Sequence, residues 1–481
     1  MGTNKESFVY LFTKIITAVI GMVTLSVQTR LISPDALGIF SIITGLTGVI
    51  VALFITWLSS SALRYYLTYQ KKDELPPFYT TLTANWVIMV SACLISFVFI
   101  SMFVKSIPLM EYLPYCAAFI VAASIFEIVE KLMRVSGRYI SYCVLLFMQS
   151  LLNLAVIVGY NYITGQQTET LFVSKILTNV LFCTFAISLL KFIPKLSFKS
   201  YSKDINKTFF KYGMPMIGVW GVSWLLNYSD RYMINFFNST YDVGLYTVAY
   251  GFAETTIGLI VSAFNLAFFP ELIRSWENNG KSGAEIAIKS NFEYLFMLTL
   301  PAVVGLSLLS KQFYGTLIDV QYKEAAVVIP ITSIGFFFMG INNVLYKLWQ
   351  LEEKTTKVLY LTIASVAFNI IANMIFIPLY GYTAAAIATT ASYILTTVIA
   401  VISLYKKYKL RLDFIFLVRL FVSLIVISTF LLLVRDQISD MFGLLLYIVA
   451  AACVYLGVLF LCGGLRNEWQ SLKNKVWRHR R

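Results

Sequence analysis

Apolar runs of twenty or more residues alternate with short charged connections along the whole chain. The pattern predicts helices over 8–32, 39–63, 78–104, 109–131, 139–161, 170–192, 212–238, 243–270, 287–310, 325–350, 356–379, 382–405, 414–434 and 441–464. One bilayer crossing takes about 20 apolar residues, so each run is long enough to span. The fold class that follows is an all-α integral membrane protein with about 14 transmembrane helices. The first run is too long for a signal-peptide core and lacks a small-x-small cleavage motif, so it is expected to remain a membrane helix.

Composition sharpens this picture. The chain of 481 residues is 59% hydrophobic and 13% charged, against about 25% charged for a water-soluble domain. The net charge of +14 raises nucleic acid as a partner, but the placement of the cations argues otherwise. With the N-terminus assigned to the cytoplasm, 30 of the 38 Lys and Arg residues fall in or beside the termini and the loops after even-numbered helices, and only 6 in or beside the opposite connections. This bias places both termini in the cytoplasm and explains the bulk charge by topology and contact with anionic lipids, without nucleic acid.

The longest polar connection, 191–211, repeats lysine every four residues from Lys191 to Lys211. It reads as an amphipathic segment on the inner leaflet or as a solvated linker interrupted at Pro194. The six cysteines lie singly in apolar runs and the one histidine is His479. No metal site, cofactor or His-based triad is expected. Gly280-Lys281-Ser282 resembles the end of a P-loop, but Ser275 stands where the required glycine belongs, so ATP hydrolysis is not supported and no enzyme is expected.

An internal echo relates the two halves. Ser33-Pro34-Asp35-Ala36-Leu37-Gly38-Ile39-Phe40 aligns, at an offset of 206, with Ser239-Thr240-Tyr241-Asp242-Val243-Gly244-Leu245-Tyr246. Repeated halves build many transporters. The expected organisation is an N-lobe over 1–192 (helices 1 to 6), a basic cytoplasmic linker over 193–211 and a C-lobe over 212–405 (helices 7 to 12). Two further helices over 414–464 and a basic tail over 465–481 follow. The two six-helix lobes are expected to be pseudo-symmetric.

Several tracts carry a family resemblance. Thr29 to Phe40, Tyr212-Gly213-Met214-Pro215, Asp230-Arg231-Tyr232 through Gly244-Leu245-Tyr246, Phe269-Pro270 and Ile377 to Ala388 occur in order across helices 1 to 12. Together they resemble the polysaccharide exporters of the multidrug/oligosaccharidyl-lipid/polysaccharide (MOP) flippase superfamily. The resemblance implies two lobes around a central cavity and flipping of lipid-linked oligosaccharides, such as O-antigen units on undecaprenyl pyrophosphate, across a bacterial inner membrane. It also implies a polysaccharide polymerase and a chain-length regulator as partners. The multidrug branch of the superfamily supplies the alternative, a cation-coupled exporter of organic cations.

An ionisable group at membrane depth costs at least about 2.5 kcal/mol unless it faces a partner or a wet cavity. On helix 1, Lys14, Thr17, Gly21, Thr24 and Gln28 form one polar stripe. Lys14 is read as a substrate cation or as a snorkelling lysine. On helix 7, Ser223, Asn227, Asp230 and Arg231 share a face. Arg231 reads as a fork for phosphate or acidic sugar, or with Asp230 as a neutralised packing pair. Glu254 on helix 8, near the midplane, and Asp230 are candidate coupling groups. Arg64, Asn227 and Lys347 complete the candidate substrate-binding set. Glu127 with Lys131, and Glu130 with Arg134, have the spacing of helix surface ion pairs.

Overall fold

A computed structural model of the chain describes residues 3–103, 108–197, 200–408 and 413–463. The helices are α1 (Thr3–Leu31), α2 (Pro34–Phe54), α3 (Thr56–Lys71), α4 (Leu75–Phe103), α5 (Leu113–Val135), α6 (Tyr139–Thr164) and α7 (Gln167–Leu190). They continue with α8 (Lys203–Phe237), α9 (Thr240–Ala253), α10 (Leu259–Leu308), α11 (Ser310–Thr316), α12 (Val328–Leu351), α13 (Thr355–Tyr405), α14 (Phe414–Val434) and α15 (Met441–Leu461). A π turn over Glu254–Gly258 joins α9 to α10. Among the described residues no strand occurs. The protein is an all-α, multi-pass membrane protein.

The predicted helices appear in order. Helices 8 and 9 are the legs of α9 and α10, which break at Gly280 (φ 55°). Helices 11 and 12 are the legs of α13, which break at Gly381 (φ 61°). Both glycines adopt the left-handed backbone that other residues avoid. Helix 2 differs from expectation. It runs from Pro34 to Lys71 as α2 and α3, divided at Ile55, rather than ending near residue 63. The polar tail from Thr68 to Lys71 hides the last turns from a hydropathy reading.

Local chemistry sets the helix ends. Ser33 caps α2, its Oγ accepting from the Ala36 N–H, with Pro34 in the first turn. Ser202, Asp413 and Asp440 cap α8, α14 and α15 in the same way. The basic connection splits into a short 3-10 turn at Ile193–Lys195 and the start of α8, which takes up Lys203, Lys207 and Lys211. The connection is tied down where the Ser197 and Ser202 N–H groups donate to Thr80 and Thr81 of α4. Lys199, Lys409 and the basic tail lie outside the described residues.

By internal packing the chain forms two compact units, 1–247 with 373–382 and 248–372 with 383–481. In unit 1, α8 packs on α2, α3 and α4, α5 and α6 pack on α7, and α1 packs on α6. Its core includes Ile42, Ile43, Ile55, Phe78, Tyr79 and Phe172. In unit 2, α10 packs on α12 and α14, and α14 on α15. Large apolar side chains such as Ile88, Ile95, Phe99, Phe185, Phe421 and Leu433 remain exposed, as a lipid-facing surface requires. Many buried hydroxyls are satisfied by the backbone one turn earlier. Thr178, for example, donates to the Ser174 carbonyl at 2.7 Å.

Candidate functional site

The expected polar face of helix 7 forms a buried cluster in unit 1. Asp230 is 1% and Arg231 6% exposed. The Arg231 N–H donates to Asp230 Oδ1 at 2.8 Å, and Arg231 Nη1 lies 3.3 Å from the same oxygen. Nη1 also donates to the Asn227 carbonyl at 2.6 Å. Tyr246 of α9 donates its hydroxyl to Asp230 Oδ2. The guanidinium lies 5.0 Å from the Tyr228 ring centroid and 5.7 Å from that of Tyr246. This is the geometry of a locally neutralised pair that joins α8 to α9. The same helix is tied to α2 by Tyr232, which donates to the Ile42 carbonyl at 2.9 Å, and by Trp224, which donates to the Gly45 carbonyl at 3.1 Å. Asn227 is exposed one turn earlier, and the Ser223 side chain lies outside the described residues.

The other candidate cations of unit 1, Lys14 and Arg64, do not bond that cluster. Lys14 is exposed on α1, third in the apolar stretch Phe12–Leu31. Arg64 is exposed on α3, two turns before its end rather than at the helix terminus. In unit 2, Lys347 is half-buried one turn before the end of α12, with Nζ 3.9 Å from the Phe269 ring centroid. Among the described residues none of these three is in an ion pair, whereas Asp230 is engaged by Arg231 and Tyr246. Glu127, by contrast, bonds Lys131 at 3.1 Å and accepts from Ser59 at 2.8 Å, so this pair links α5 to α3 rather than lying free on a surface.

Glu254 is exposed at the first position of the π turn Glu254–Gly258. An added Cβ at Gly258 lies 3.6 Å from Glu254 Cγ and 3.9 Å from Phe336. A π turn in an otherwise α-helical leg is rare and recurs at functional positions. No hydropathy pattern announces it. Lys175 is the other residue missed from sequence, grouped there with the outer connections although it falls within the predicted helix 170–192. It sits within α7, about 12 Å from the helix start at 1.5 Å per residue, and is exposed.

The internal echo becomes a reciprocal crossing of α2 and α9. A Cβ added at Gly38 lies 1.9 Å from the Thr240 carbonyl oxygen, and one added at Gly244 lies 1.9 Å from the Pro34 carbonyl oxygen. Each glycine therefore meets the repeat-equivalent of the residue that the other meets, as a local two-fold requires. Ser41 Oγ and Thr247 Oγ1, equivalent positions 206 apart, lie 3.0 Å from each other. Thr240 donates to Asp35 Oδ1 at 2.9 Å on one flank of the crossing.

Comparison with known proteins identifies the fold and the family. The inward closed structure of the lipid II flippase MurJ superposes with a TM-score of 0.75 at 16% identity, over 96% of this chain and 99% of that one. An inward-facing multidrug resistance MATE transporter of the MOP superfamily gives a TM-score of 0.65 at 14% identity, over 84% and 98%. At these identities the likeness establishes the fold alone, the all-helical fold of these two structures. The family described as polysaccharide biosynthesis protein matches residues 27–327. The chain belongs to that family, and the resemblance read from the motif tracts is borne out. Among curated relatives, the probable low-salt glycan biosynthesis flippase Agl15 of Haloferax volcanii is 25% identical over 208 residues, 43% of each chain. The chain spans about half the length of the curated relatives that it matches first.

Proposed function

We propose that the protein is a flippase that moves a lipid-linked oligosaccharide across its membrane by alternating access. The observation that carries this reading is the charge of the membrane helices. Lys14, Arg64, Lys175 and Lys347 are exposed or half-buried, and among the described residues none of them is in an ion pair. Asp230 is locked by Arg231 and Tyr246. An excess of cations at membrane depth suits a phosphate-bearing headgroup and disfavours an organic cation. Family membership and the relative named as a glycan flippase support the same class.

The finer reading is a surface-polysaccharide repeat unit of O-antigen type on undecaprenyl pyrophosphate, in a bacterial inner membrane, with both termini cytoplasmic. The repeat halves 1–192 and 212–405 are the lobes that rock, and Glu254 at its π turn is the coupling carboxylate. A polymerase and a chain-length regulator take up the product. Outward passage of an anionic headgroup across an inside-negative membrane gains about 2.3 kcal/mol per charge per 100 mV, enough to drive transport without ATP. Deletion of the gene tests this reading. Loss of surface glycan, with the lipid-linked unit accumulating on the cytoplasmic face, supports it. Unchanged surface glycan and no accumulation overturn it.

A further inference from the structure

Unit 1 carries a groove of about 180 Å³ between α4, α5, the end of α7 and the 3-10 turn that follows it. Leu82, Thr83 and Trp86 of α4, Ile128 of α5, Ile187 of α7 and Phe192 stand in its wall. The two polar side chains among them are already bonded within the protein. Thr83 donates its hydroxyl to the Tyr79 carbonyl at 2.8 Å, and the Trp86 indole donates to Ser124 Oγ at 3.0 Å. The groove therefore suits a hydrocarbon chain and leaves no wall group to pair with a sugar hydroxyl. Val87 and Ile88 of α4 and Phe185 of α7, close by in the chain, are exposed apolar residues of the lipid-facing surface.

The mouth of the groove is cationic. Ile128 and Ile187 precede the ends of α5 at Val135 and of α7 at Leu190. Arg138 and Lys195 lie just beyond those ends, at the level where the helices leave the hydrocarbon for the headgroups. Both approach Tyr79, which is fully buried. Lys195 Nζ is 5.8 Å from its ring centroid, and the Arg138 charge acts on its hydroxyl. Phe192, in the groove wall, meets the same ring at 4.2 Å, so the cations and the groove adjoin. The Ser197 N–H, donating to Thr80 Oγ1 at 3.1 Å, fixes the segment that carries Lys195. Among the described residues neither cation is in an ion pair, and the α5 acids are taken, Glu127 by Lys131 and Glu130 by Arg134.

An apolar groove beside two unpaired cations matches a lipid with an acyl chain under a phosphodiester. We propose that this place holds one anionic glycerophospholipid of the surrounding leaflet, an acyl chain in the groove and the phosphate at Lys195 and Arg138. A glycan-bearing lipid fits less well, because the hydroxyl and the indole of the wall are already used. The site is one for a resident lipid, lies apart from the Arg231 cluster and does not depend on the flippase reading.

The test is native mass spectrometry of the delipidated full-length chain in detergent, with dioleoylphosphatidylglycerol, dioleoylphosphatidylcholine and undecaprenyl phosphate as probes. Wild type is expected to take one phosphatidylglycerol about tenfold more tightly than phosphatidylcholine or undecaprenyl phosphate. Lys195→Gln with Arg138→Gln should remove that preference through a loss of about tenfold or more for phosphatidylglycerol. Lys357→Gln with Lys406→Gln, an equal loss of exposed charge in unit 2, should leave it unchanged. Thr83→Phe fills the groove and should weaken phosphatidylglycerol with both cations in place; Ile187→Phe replaces it if melting curves show misfolding. Wild-type affinity in the Lys195 and Arg138 double variant overturns the site, as does equal weakening by the unit 2 pair, which would mean ordinary surface charge. Full affinity in the groove-filling variants, or tighter binding of undecaprenyl phosphate, overturns it too.

Discussion

Replacing Gly244 by alanine is expected to destabilise the protein through the α2–α9 crossing. The added methyl lies 1.9 Å from the Pro34 carbonyl oxygen, where ordinary contact begins at 3.4 Å, so the helices must part by about 1.5 Å. Overpacking of this kind costs about 1–3 kcal/mol. Alanine recovers up to about 1 kcal/mol of helix propensity, so a net loss of about 1–2 kcal/mol is expected. The local two-fold predicts the same loss for Gly38→Ala, which meets the Thr240 carbonyl at the same 1.9 Å. The double variant should lose less than the sum, because the first methyl has already parted the helices. Gly21→Ala, with nothing within 4 Å, is the control and should be neutral or stabilising. The assay is apparent melting temperature in detergent, followed by size-exclusion fluorescence. Gly38→Ala and Gly244→Ala melting at or above the temperature of Gly21→Ala would refute the crossing.

The remaining predictions concern charge and contact. Arg231→Ala leaves Asp230 buried without its cation and should cost about 3–5 kcal/mol, seen as low yield, while Asp230→Asn with Arg231→Met should recover folding; equal yields for the single and double variants contradict the neutralised pair. Ser41→Cys with Thr247→Cys should form a disulfide on mild oxidation, since the two oxygens lie 3.0 Å apart, detected as a dithiothreitol-sensitive mobility shift. Outside the membrane, burial alone would raise the Glu352 carboxyl, but hydrogen bonds from Lys407, Tyr408 and Lys354 outweigh it and hold it at about 2. A depressed carboxylate stabilises above its unfolded value near 4.5 and loses that stabilisation as pH falls toward 2. Glu352→Gln should therefore lower the melting temperature at pH 7 and the gap should close toward pH 2; a gap that does not depend on pH contradicts the assignment.

Fold and site were legible in the sequence to different degrees, for physical reasons. Lipid demands long apolar runs, so the helices and their order show in hydropathy. The Gly38 and Gly244 tracts also show, because a close backbone crossing admits no side chain at either position. The Tyr246 hydroxyl on Asp230 is a tertiary contact 16 residues away, with no spacing rule to announce it. The π turn at Glu254 reads as plain helix, because the apolar pattern on either side is unbroken. Lys175 falls inside the predicted helix 170–192, but a lone lysine near the start of an apolar run has the pattern of a connection cation, so hydropathy did not single it out. Arg64 was set at a helix end because the Tyr- and Lys-bearing turns of α3 after it are amphipathic rather than apolar.

The central claim, translocation of an anionic lipid-linked sugar, is tested most directly in proteoliposomes. The purified protein is reconstituted with a fluorescent undecaprenyl diphosphate-linked saccharide, and dithionite quenching reports the fraction exposed on the outer leaflet with time. The account predicts protein-dependent movement, accelerated when the membrane potential favours passage of negative charge and slowed in Lys14→Ala, Arg64→Ala and Lys347→Ala variants that fold normally. Movement no faster than in protein-free vesicles would contradict it, most sharply if the same vesicles exported an organic cation.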